Sequence, residues 1–155
     1  MSSSLTPDAV PALNQAAEKF KHGFLGTIGF HFLEWEEDRV VLGLNVVEKH
    51  LNLGNVIHGG VLATLLDVSG ACSGTYCPYP GRVRKALTLS LTTTFTGQAG
   101  PGLVRAIGVK RAGGNRIFNS SMEVLDANDR LLAFGEGTFR LRGGSEDPKG
   151  VVVDY

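Results

Sequence analysis

The sequence predicts a single α+β domain in which one apolar helix is enclosed by an antiparallel β-sheet. Its 155 residues suffice for one domain with a substantial core. Residues 60–74 follow a glycine-rich loop and carry apolar side chains around nearly the whole helical circumference, which is typical of a buried helix. Four segments of alternating side chains come next, joined by links too short for a parallel crossover. We therefore expect these four strands to form an antiparallel meander over the helix.

An amphipathic helix is expected before this core. Thr6 supplies an N-cap and Pro7 a first helical residue, so a helix is predicted for residues 7–21 and disorder for residues 1–6. An extended segment, residues 26–35, is expected next. A strand at residues 39–47 follows, and its apolar face consists of the even-numbered positions.

The four later strands are predicted at residues 84–96, 103–111, 116–126 and 131–142. In the first of them, alternation predicts two distinct faces. One is apolar, with Leu87, Leu89, Leu91 and Phe95, and the other carries hydroxyl groups, with Thr88, Ser90, Thr92, Thr94 and Thr96. Residues 7–142 are thus interpreted as one domain, and residues 143–155 as a flexible tail whose valines at 151–153 are available to dock on a neighbour.

Composition argues against several classes of protein. Lysine plus arginine and aspartate plus glutamate both total 15, so no general basic field for nucleic acid is expected. Cys72 and Cys77 form neither a disulfide framework nor a zinc-ligand pattern and are interpreted as reduced thiols. The first residues do not resemble a secretory signal, and no apolar run is long enough to span a membrane. We therefore expect a cytoplasmic protein without membrane contact.

The candidate functional site lies at the junction between the glycine-rich loop and the buried helix, residues 53–67. The first N–H groups of a helix lack intrahelical acceptors and lie at its positive end, so they favour a developing oxyanion. Gly59 allows a ligand to approach these groups closely. Asp67 interrupts the apolar pattern, and a carboxylate there is costly to bury without a partner. Asp67 is therefore a candidate for catalysis.

A longer pattern extends across this junction. It reads His50-x-Asn52-x5-His58-Gly59-Gly60-x6-Asp67, and the segments Ala86–Phe95 and Gly135-Glu136-Gly137-Thr138-Phe139 accompany it. The chain resembles the hotdog-fold acyl-CoA thioesterases, in particular the phenylacetate-pathway (PaaI-like) family, over roughly residues 25–142. The resemblance implies a hotdog fold, thioester hydrolysis with no metal or cofactor, and coenzyme A bound only as part of an acyl-CoA substrate. It also implies homodimers or dimers of dimers.

The resemblance assigns roles to named residues. Asp67 would act as the nucleophile or as the general base that activates water, and the backbone N–H of Gly59 would polarise the thioester carbonyl. Asn52 would help to place the water or the carboxylate. Thr88 falls near a hydroxyl residue that orients the water in some members.

Other polar residues in or near the junction have alternative interpretations. Asn55 and Gly60 are assigned to substrate binding. His58 is a candidate general base, but a role in fixing the loop is favoured. Ser69 and Ser73 do not lie in the strained turn of a serine hydrolase, so that mechanism is rejected. The other three histidines have no partner at the spacing of metal ligands, and structural or surface roles are expected for them.

Geometry alone predicts a second subunit. Gly59 and Asp67 are eight residues apart, or about 12 Å along one helix at 1.5 Å per residue. A thioester carbon and its attacking oxygen are separated by only about 3–3.5 Å. Two groups on the same rigid helix therefore cannot serve the same bond, and we expect composite sites in a two-fold dimer.

Two other functions remain open at this stage. One is a hotdog-fold dehydratase or hydratase that pairs His58 with Asp67, and the other is a non-enzymatic acyl-CoA-binding module. Basic residues near the predicted strand ends are candidates for contact with coenzyme A phosphates, although solvated turns are the commoner role for such residues. They are Arg82, Arg84, Lys85, Lys110, Arg111 and Arg116.

Overall fold

The structure is a computed structural model that describes Leu13 and residues 17–153. The helices whose bounds are described are α1 (Gly23–Ile28) and α2 (Gly59–Ser73), with a short 3₁₀ helix at Glu48–His50. Its strands are β1 (His31–Glu36), β2 (Arg39–Val46), β3 (Arg82–Val83), β4 (Ala86–Phe95), β5 (Gly102–Gly113), β6 (Ile117–Leu125), β7 (Leu131–Leu141) and β8 (Val151–Val152). The predicted α+β class is confirmed.

The N-terminal region differs in part from the prediction. Within the helix predicted at residues 7–21, Leu13 and residues 17–19 are helical, whereas residues 20 and 21 are not. The other residues of that helix lie outside the described residues, as does the disorder predicted for residues 1–6. The extended segment predicted at residues 26–35 is confirmed only from His31, where β1 begins, because α1 occupies residues up to Ile28. Gly29 ends this helix in the left-handed conformation (φ 83°), donating its N–H to the Leu25 carbonyl at 3.0 Å.

Six strands form one antiparallel sheet in the order β1-β2-β5-β6-β7-β4. The meander is confirmed for β5, β6 and β7, but β4 lies beside β7 and not beside β5 as expected. The sheet curls around α2, so residues 96–101 cross its end rather than forming a hairpin. Several hydrogen bonds hold this link, among them Thr96 N–H to the Leu132 carbonyl at 2.9 Å and Ile57 N–H to the Ala99 carbonyl at 2.8 Å.

Helix α2 is enclosed by the sheet, as its apolar circumference predicts. The contact with β5 is closest at Gly108, where a Cβ atom would lie 2.0 Å from the Ser69 carbonyl oxygen. Only glycine therefore allows the helix to rest directly on the strand. The predicted even-numbered face of β2 is buried beside it, together with side chains from α2 and the other strands: Val40, Leu42, Leu44, Val46, Leu65, Leu66, Val104 and Val124.

A β-bulge in β4 overturns the predicted division of its side chains. Thr88 pairs with Phe139 of β7, whereas Ser90, two residues on, pairs with the adjacent Thr138. The extra residue, Leu89, shifts the alternation of the strand. Thr88 therefore faces α2, while Ser90 and the threonines at 92 and 94 face away from it. The bulge is what turns one hydroxyl group toward the helix.

The C-terminal segment differs from the predicted flexible tail. Residues 143–153, called here the C-terminal strap, include β8, which pairs with β3 in an antiparallel arrangement. The Arg82 guanidinium donates to the carbonyls of Lys149 and Gly150, each at 2.7 Å. Arg84 Nε donates to the Ser145 carbonyl at 2.8 Å. The valines dock on their own chain because these arginines satisfy carbonyl groups of the strap.

Within the described residues, no helix combines the length and the apolar character that crossing a membrane requires. Both cysteines are free and buried, which confirms their assignment as unpaired thiols.

Candidate active site

Asp67 lies on the third turn of α2, and its carboxylate is half-buried among apolar neighbours. Its Oδ1 accepts a hydrogen bond of 2.6 Å from Thr88 Oγ1 on β4. The helix therefore supplies the carboxylate, and the bulged edge strand supplies the group that fixes its orientation. Thr88 can donate its one proton to only one acceptor, so the second oxygen of Asp67 remains available to another donor.

Cys72 lies one turn after Asp67 and is fully buried. Burial, and then the negative charge of Asp67, raise the pKa of the Cys72 thiol from its ordinary 9.0 to about 12. The thiol is therefore protonated at neutral pH and is not a nucleophile.

A cavity of about 460 Å³ opens beside Asp67 and Thr88. Its apolar wall includes Val68 and Ala71 of α2 and Phe20 of the N-terminal region. Val153 of the C-terminal strap contributes another side chain. Such a volume, with a few polar groups on an apolar wall, is typical of a small-molecule site. The cavity also has four cationic lining residues, Lys19, Arg84, Lys85 and Arg142.

The start of α2 is fixed by His58. This residue is the N-cap, and its Nδ1 accepts a hydrogen bond of 2.8 Å from Gly60 N–H. Its carbonyl accepts from the N–H groups of Val61 and Leu62. The Gly59 N–H has no hydrogen-bond acceptor among the described residues. An open amide donor thus remains at the positive end of the helix dipole.

Asn52 organises the loop that leads into this helix. Its Oδ1 accepts from Gly54 N–H at 2.8 Å and from Val56 N–H at 3.3 Å. Asn55 adopts the left-handed conformation (φ 60°) that asparagine tolerates better than most residues. With His58, these asparagines line an open depression of about 710 Å³. The Asn52 side-chain NH₂ has no acceptor among the described residues and remains available to a ligand.

Other residues singled out from the sequence have structural contacts. His50 is buried; its Nδ1 accepts from Val47 N–H at 3.0 Å, so its Nε2 carries the proton donated to the Ile28 carbonyl at 2.8 Å. The structural role expected for this histidine is confirmed. Ser69 and Ser73 are buried and donate to helix carbonyls, which agrees with the rejection of a serine nucleophile.

One chain does not bring all the predicted site residues together. Asp67 and Thr88 line the first cavity, whereas Asn52, Asn55 and His58 line the separate depression near the start of α2. Gly59 and Gly60 stand at that same end, about 12 Å from Asp67 by helix rise. Among described residues, no group of three or more His, Cys, Asp or Glu side chains is arranged to hold a metal.

Sequence reasoning missed Lys19 and Arg142 as residues lining the Asp67 cavity. Lys19 lies within the predicted first helix and Arg142 at the end of a predicted strand, and neither position indicates a functional site. Lys19 is held there by its hydrogen bond to the Arg82 carbonyl, and Arg142 by the bond from its N–H to the Lys85 carbonyl. Both contacts join residues far apart in the chain, so no local pattern indicates them.

Comparisons with known proteins identify the family to which the chain belongs. No protein-family model matches the chain. An esterase-named protein of Pseudomonas aeruginosa is 30% identical over 118 residues, which cover 76% of this chain and 87% of that protein. This identity, over most of both chains, shows common ancestry.

Solved structures agree with this relationship. The phenylacetic acid degradation protein PaaI from Thermus thermophilus, solved as a mutant, is 25% identical, with a TM-score of 0.65 over 76% of this chain and 95% of that one. A thioesterase from Haemophilus influenzae shares the fold with a TM-score of 0.75 at 18% identity, covering 84% of this chain and 90% of that one. The chain therefore belongs to the PaaI-like family of hotdog-fold thioesterases and is a hydrolytic enzyme.

Proposed function

We propose that this protein is an acyl-CoA thioesterase that hydrolyses the thioester of an acyl- or aryl-CoA to the free acid and coenzyme A. The observation that carries the proposal is the hydrogen bond from Thr88 to Asp67 within a cavity of mixed polarity. An oriented carboxylate beside an apolar chamber has the properties needed to activate water against a bound thioester. The reaction as proposed uses no metal or cofactor.

Asp67 has two possible roles in this reaction. As a general base, it removes a proton from water, whose oxygen attacks the thioester carbon to give a tetrahedral intermediate. The carbon–sulfur bond then breaks, and the coenzyme A thiolate is protonated. As a nucleophile, Asp67 itself forms a mixed anhydride and expels the thiolate, and water then cleaves the anhydride. A single turnover in ¹⁸O-labelled water identifies the nucleophile route if the label enters Asp67, because water has then attacked the Asp67 carbonyl of the anhydride. Label in the acid alone is expected both for the base route and for water attack on the acyl carbonyl of the anhydride.

The oxyanion needs a donor that Asp67 cannot supply. The open Gly59 N–H is our candidate, because a fixed backbone donor at a helix start stabilises negative charge that develops in the transition state. Gly60 N–H is bonded to His58, so we assign Gly60 only to the close approach of substrate at the helix start. The free NH₂ of Asn52 is our candidate for positioning water, and Asn55 for contact with the substrate.

A composite site in a dimer would bring the two sets of groups together. The separation along α2 prevents Asp67 and Gly59 of one chain from reaching the same thioester. Strand β4 lies at the edge of the sheet and contains no charged residue. Its side chains Leu87, Leu89 and Phe95 are about half exposed, at 49%, 53% and 51%. An uncharged edge strand with exposed apolar side chains favours pairing with a second copy. We propose that Asp67 of one protomer faces Gly59 of its partner, with dimers of dimers as the larger assembly.

The hydratase alternative has less support from the geometry. It needs His58 as a base, but His58 Nδ1 already accepts from Gly60 N–H. The neutral ring then carries its proton on Nε2, so neither nitrogen is free to accept another proton without breaking the helix cap. The esterase-named relative also argues against a binding module without activity.

The test of the proposed function is a thiol-release assay across aliphatic and aromatic acyl-CoA esters. We expect turnover on at least one class of ester and a loss of about a thousandfold or more in Asp67→Asn, with the fold retained. Asp129→Asn is a matched control, because Asp129 lies in a turn (φ 62°) where asparagine is also tolerated. Near-normal turnover by Asp67→Asn would remove Asp67 from the reaction.

A further inference from the structure

Four cationic residues line the cavity that contains Asp67. They form a set called here the basic rim: Lys19, Arg84, Lys85 and Arg142. Among the described residues, none of the four has a carboxylate within ion-pair distance. Of the described residues that line the cavity, Asp67 is the single carboxylate. The cavity therefore carries a local excess of positive charge although the chain as a whole has a formal net charge of zero.

This excess contrasts with other basic side chains of the molecule. Five of these form ion pairs with carboxylates: Lys21, Arg39, Arg105, Lys110 and Arg130. The basic rim instead uses neutral partners. Lys19 Nζ donates to the Arg82 carbonyl, and Arg84 Nε donates to the Ser145 carbonyl. Carbonyl acceptors position these side chains without cancelling their charge.

The backbone around the rim is held by the C-terminal strap. Ser145 Oγ accepts from Lys85 N–H at 2.9 Å, and the Lys85 carbonyl accepts from Arg142 N–H at 2.9 Å. Arg84, Lys85 and Arg142 are thus connected through Ser145 and the Lys85 carbonyl. The Lys85 amino group and the Arg142 guanidinium have no partner among the described residues. Lys19 and Arg84 are held in place, and the Lys85 and Arg142 side chains have free donors. Together these four cations can bind a multiply charged anion.

Lys19 provides independent support. Burial lowers its pKa, and the Cys77 thiol opposes this effect only in part. A cation that is partly desolvated without a nearby carboxylate is stabilised when an anion binds.

We infer that the basic rim binds an anionic group of the substrate, and that this group is a phosphate of coenzyme A. The inference rests on the proposed function. A cavity of about 460 Å³ has room for an acyl group or part of the pantetheine arm but not for a whole acyl-CoA. The nucleotide must then lie outside it. Arginine side chains at the rim offer paired donors that match phosphate oxygens. A carboxylate at the far end of the acyl group is the other source of the same chemistry.

The first experiment measures binding without catalysis. Adenosine 3′,5′-bisphosphate, which carries phosphates but no thioester, is titrated calorimetrically into the wild type and into Arg142→Gln and Arg84→Gln/Arg142→Gln. We expect Kd to rise about tenfold for each guanidinium removed, and the affinity of the wild type to fall as salt is added. Arg142→Gln is the safer variant, since the Arg142 side chain has no partner in the described part of the chain.

The matched control for binding is Lys110→Gln. This residue forms an ion pair with Asp38 and does not line the cavity, so the substitution removes one positive charge elsewhere. Equal weakening by Lys110→Gln would mean a general charge effect and would overturn the assignment. Unchanged Kd in both rim variants would overturn it as well. Neither result depends on whether the protein hydrolyses thioesters.

The second experiment identifies the source of the anion. Each variant is assayed on a coenzyme A ester and on the N-acetylcysteamine ester of the same neutral acyl group, which lacks phosphates. We expect about a tenfold rise in KM per residue for the first ester, little change in kcat, and no change for the second. An effect that instead follows a terminal carboxylate on the acyl group, with either thiol carrier, supports the rim but overturns the assignment to phosphate. Equal losses on the neutral, phosphate-free ester would overturn the rim. Absence of turnover on every ester would contradict the proposed function and leave the binding result intact.

Discussion

Thr88, on the edge strand of the sheet, donates a 2.6 Å hydrogen bond to the carboxylate of Asp67 on the central helix. The bond exists because a one-residue bulge turns Thr88 toward the helix, against the alternation of the strand. The proposed catalytic group is therefore oriented by the strand that we also propose as the dimer edge. Assembly and catalysis would share one element.

Thr88→Val is expected to lower kcat by about 10- to 100-fold with a small change in KM. Valine keeps the shape of threonine but removes a hydrogen bond to a charged group, which is worth about 1.5–3 kcal/mol. Thr88→Ser keeps the hydroxyl and should retain activity within about threefold. Steady-state kinetics on the best substrate check both variants. A Thr88→Val enzyme as active as Thr88→Ser would show that the bond does not position Asp67 for reaction.

His58→Asn is expected to keep most of the activity, and His58→Ala to lower the free energy of unfolding by about 1 kcal/mol. Asparagine is a good N-cap and can replace the acceptor that His58 offers to Gly60 N–H, whereas alanine cannot. Urea unfolding and thiol release check the pair. If His58 were instead a general base, both substitutions would remove it, and the rate of thiol release would fall by about 100-fold or more in each variant. That result would contradict the capping role.

The raised pKa of Cys72 leads us to expect a lower free energy of unfolding at alkaline pH. The folded-state pKa is about 12 and the ordinary value is 9.0, so the folded protein retains a proton that the unfolded chain loses between these pH values. The free energy of unfolding should therefore fall as pH rises through this window, by up to about 1.4 kcal/mol per pH unit from this group. The stability advantage of wild type over Cys72→Ala should shrink from pH 8 to pH 11. A constant difference between the two proteins would contradict the assigned pKa.

Gly108→Ala should destabilise the fold by about 3 kcal/mol. The added methyl group would overlap the Ser69 carbonyl oxygen and force the central helix away from β5. Gly114→Ala is the matched control, since nothing lies within 4 Å of the position its Cβ would occupy. Chemical unfolding compares the two. Similar stability in both variants would show that the helix does not rest on Gly108 as described.

The central part of the fold was predictable because its signals are local and strong. The apolar circumference of residues 60–74 identifies an enclosed helix, and clear alternation identifies the later strands. The order of the sheet was not predictable from link length. A link of six residues between β4 and β5 reads as a hairpin, but curling of the sheet lets the same six residues cross its end.

The site was predictable where its residues interrupt a local pattern, and not where it depends on contacts between distant residues. Asp67 and the helix start stand out because a carboxylate and a run of glycines interrupt the apolar pattern. The orientation of Thr88 depends on a bulge, which leaves no periodic trace of its own in the sequence. The basic rim depends on contacts between residues far apart in the chain, such as Arg84 with Ser145, and no local rule relates such positions.

The central claim, that each site combines Asp67 of one chain with Gly59 of another, is tested most directly by mixing two inactive variants. Asp67→Asn removes the carboxylate, and Gly59→Pro removes the N–H. Proline is tolerated at the first helical position, and His58 (φ −66°, ψ 137°) has the extended backbone that a residue before proline needs. Gly59→Ala is the control, because its methyl group would meet Phe95 at an ordinary 3.7 Å while the N–H remains.

After subunit exchange, verified by mass spectrometry of differently tagged chains, each heterodimer holds one site with both groups intact. Random pairing makes half of the dimers heterodimers, so thiol release should recover to about a quarter of the wild-type rate. If Asp67 and Gly59 of the same chain served one site, every site in the mixture would lack one group. Verified exchange with no recovery of activity would contradict the composite site.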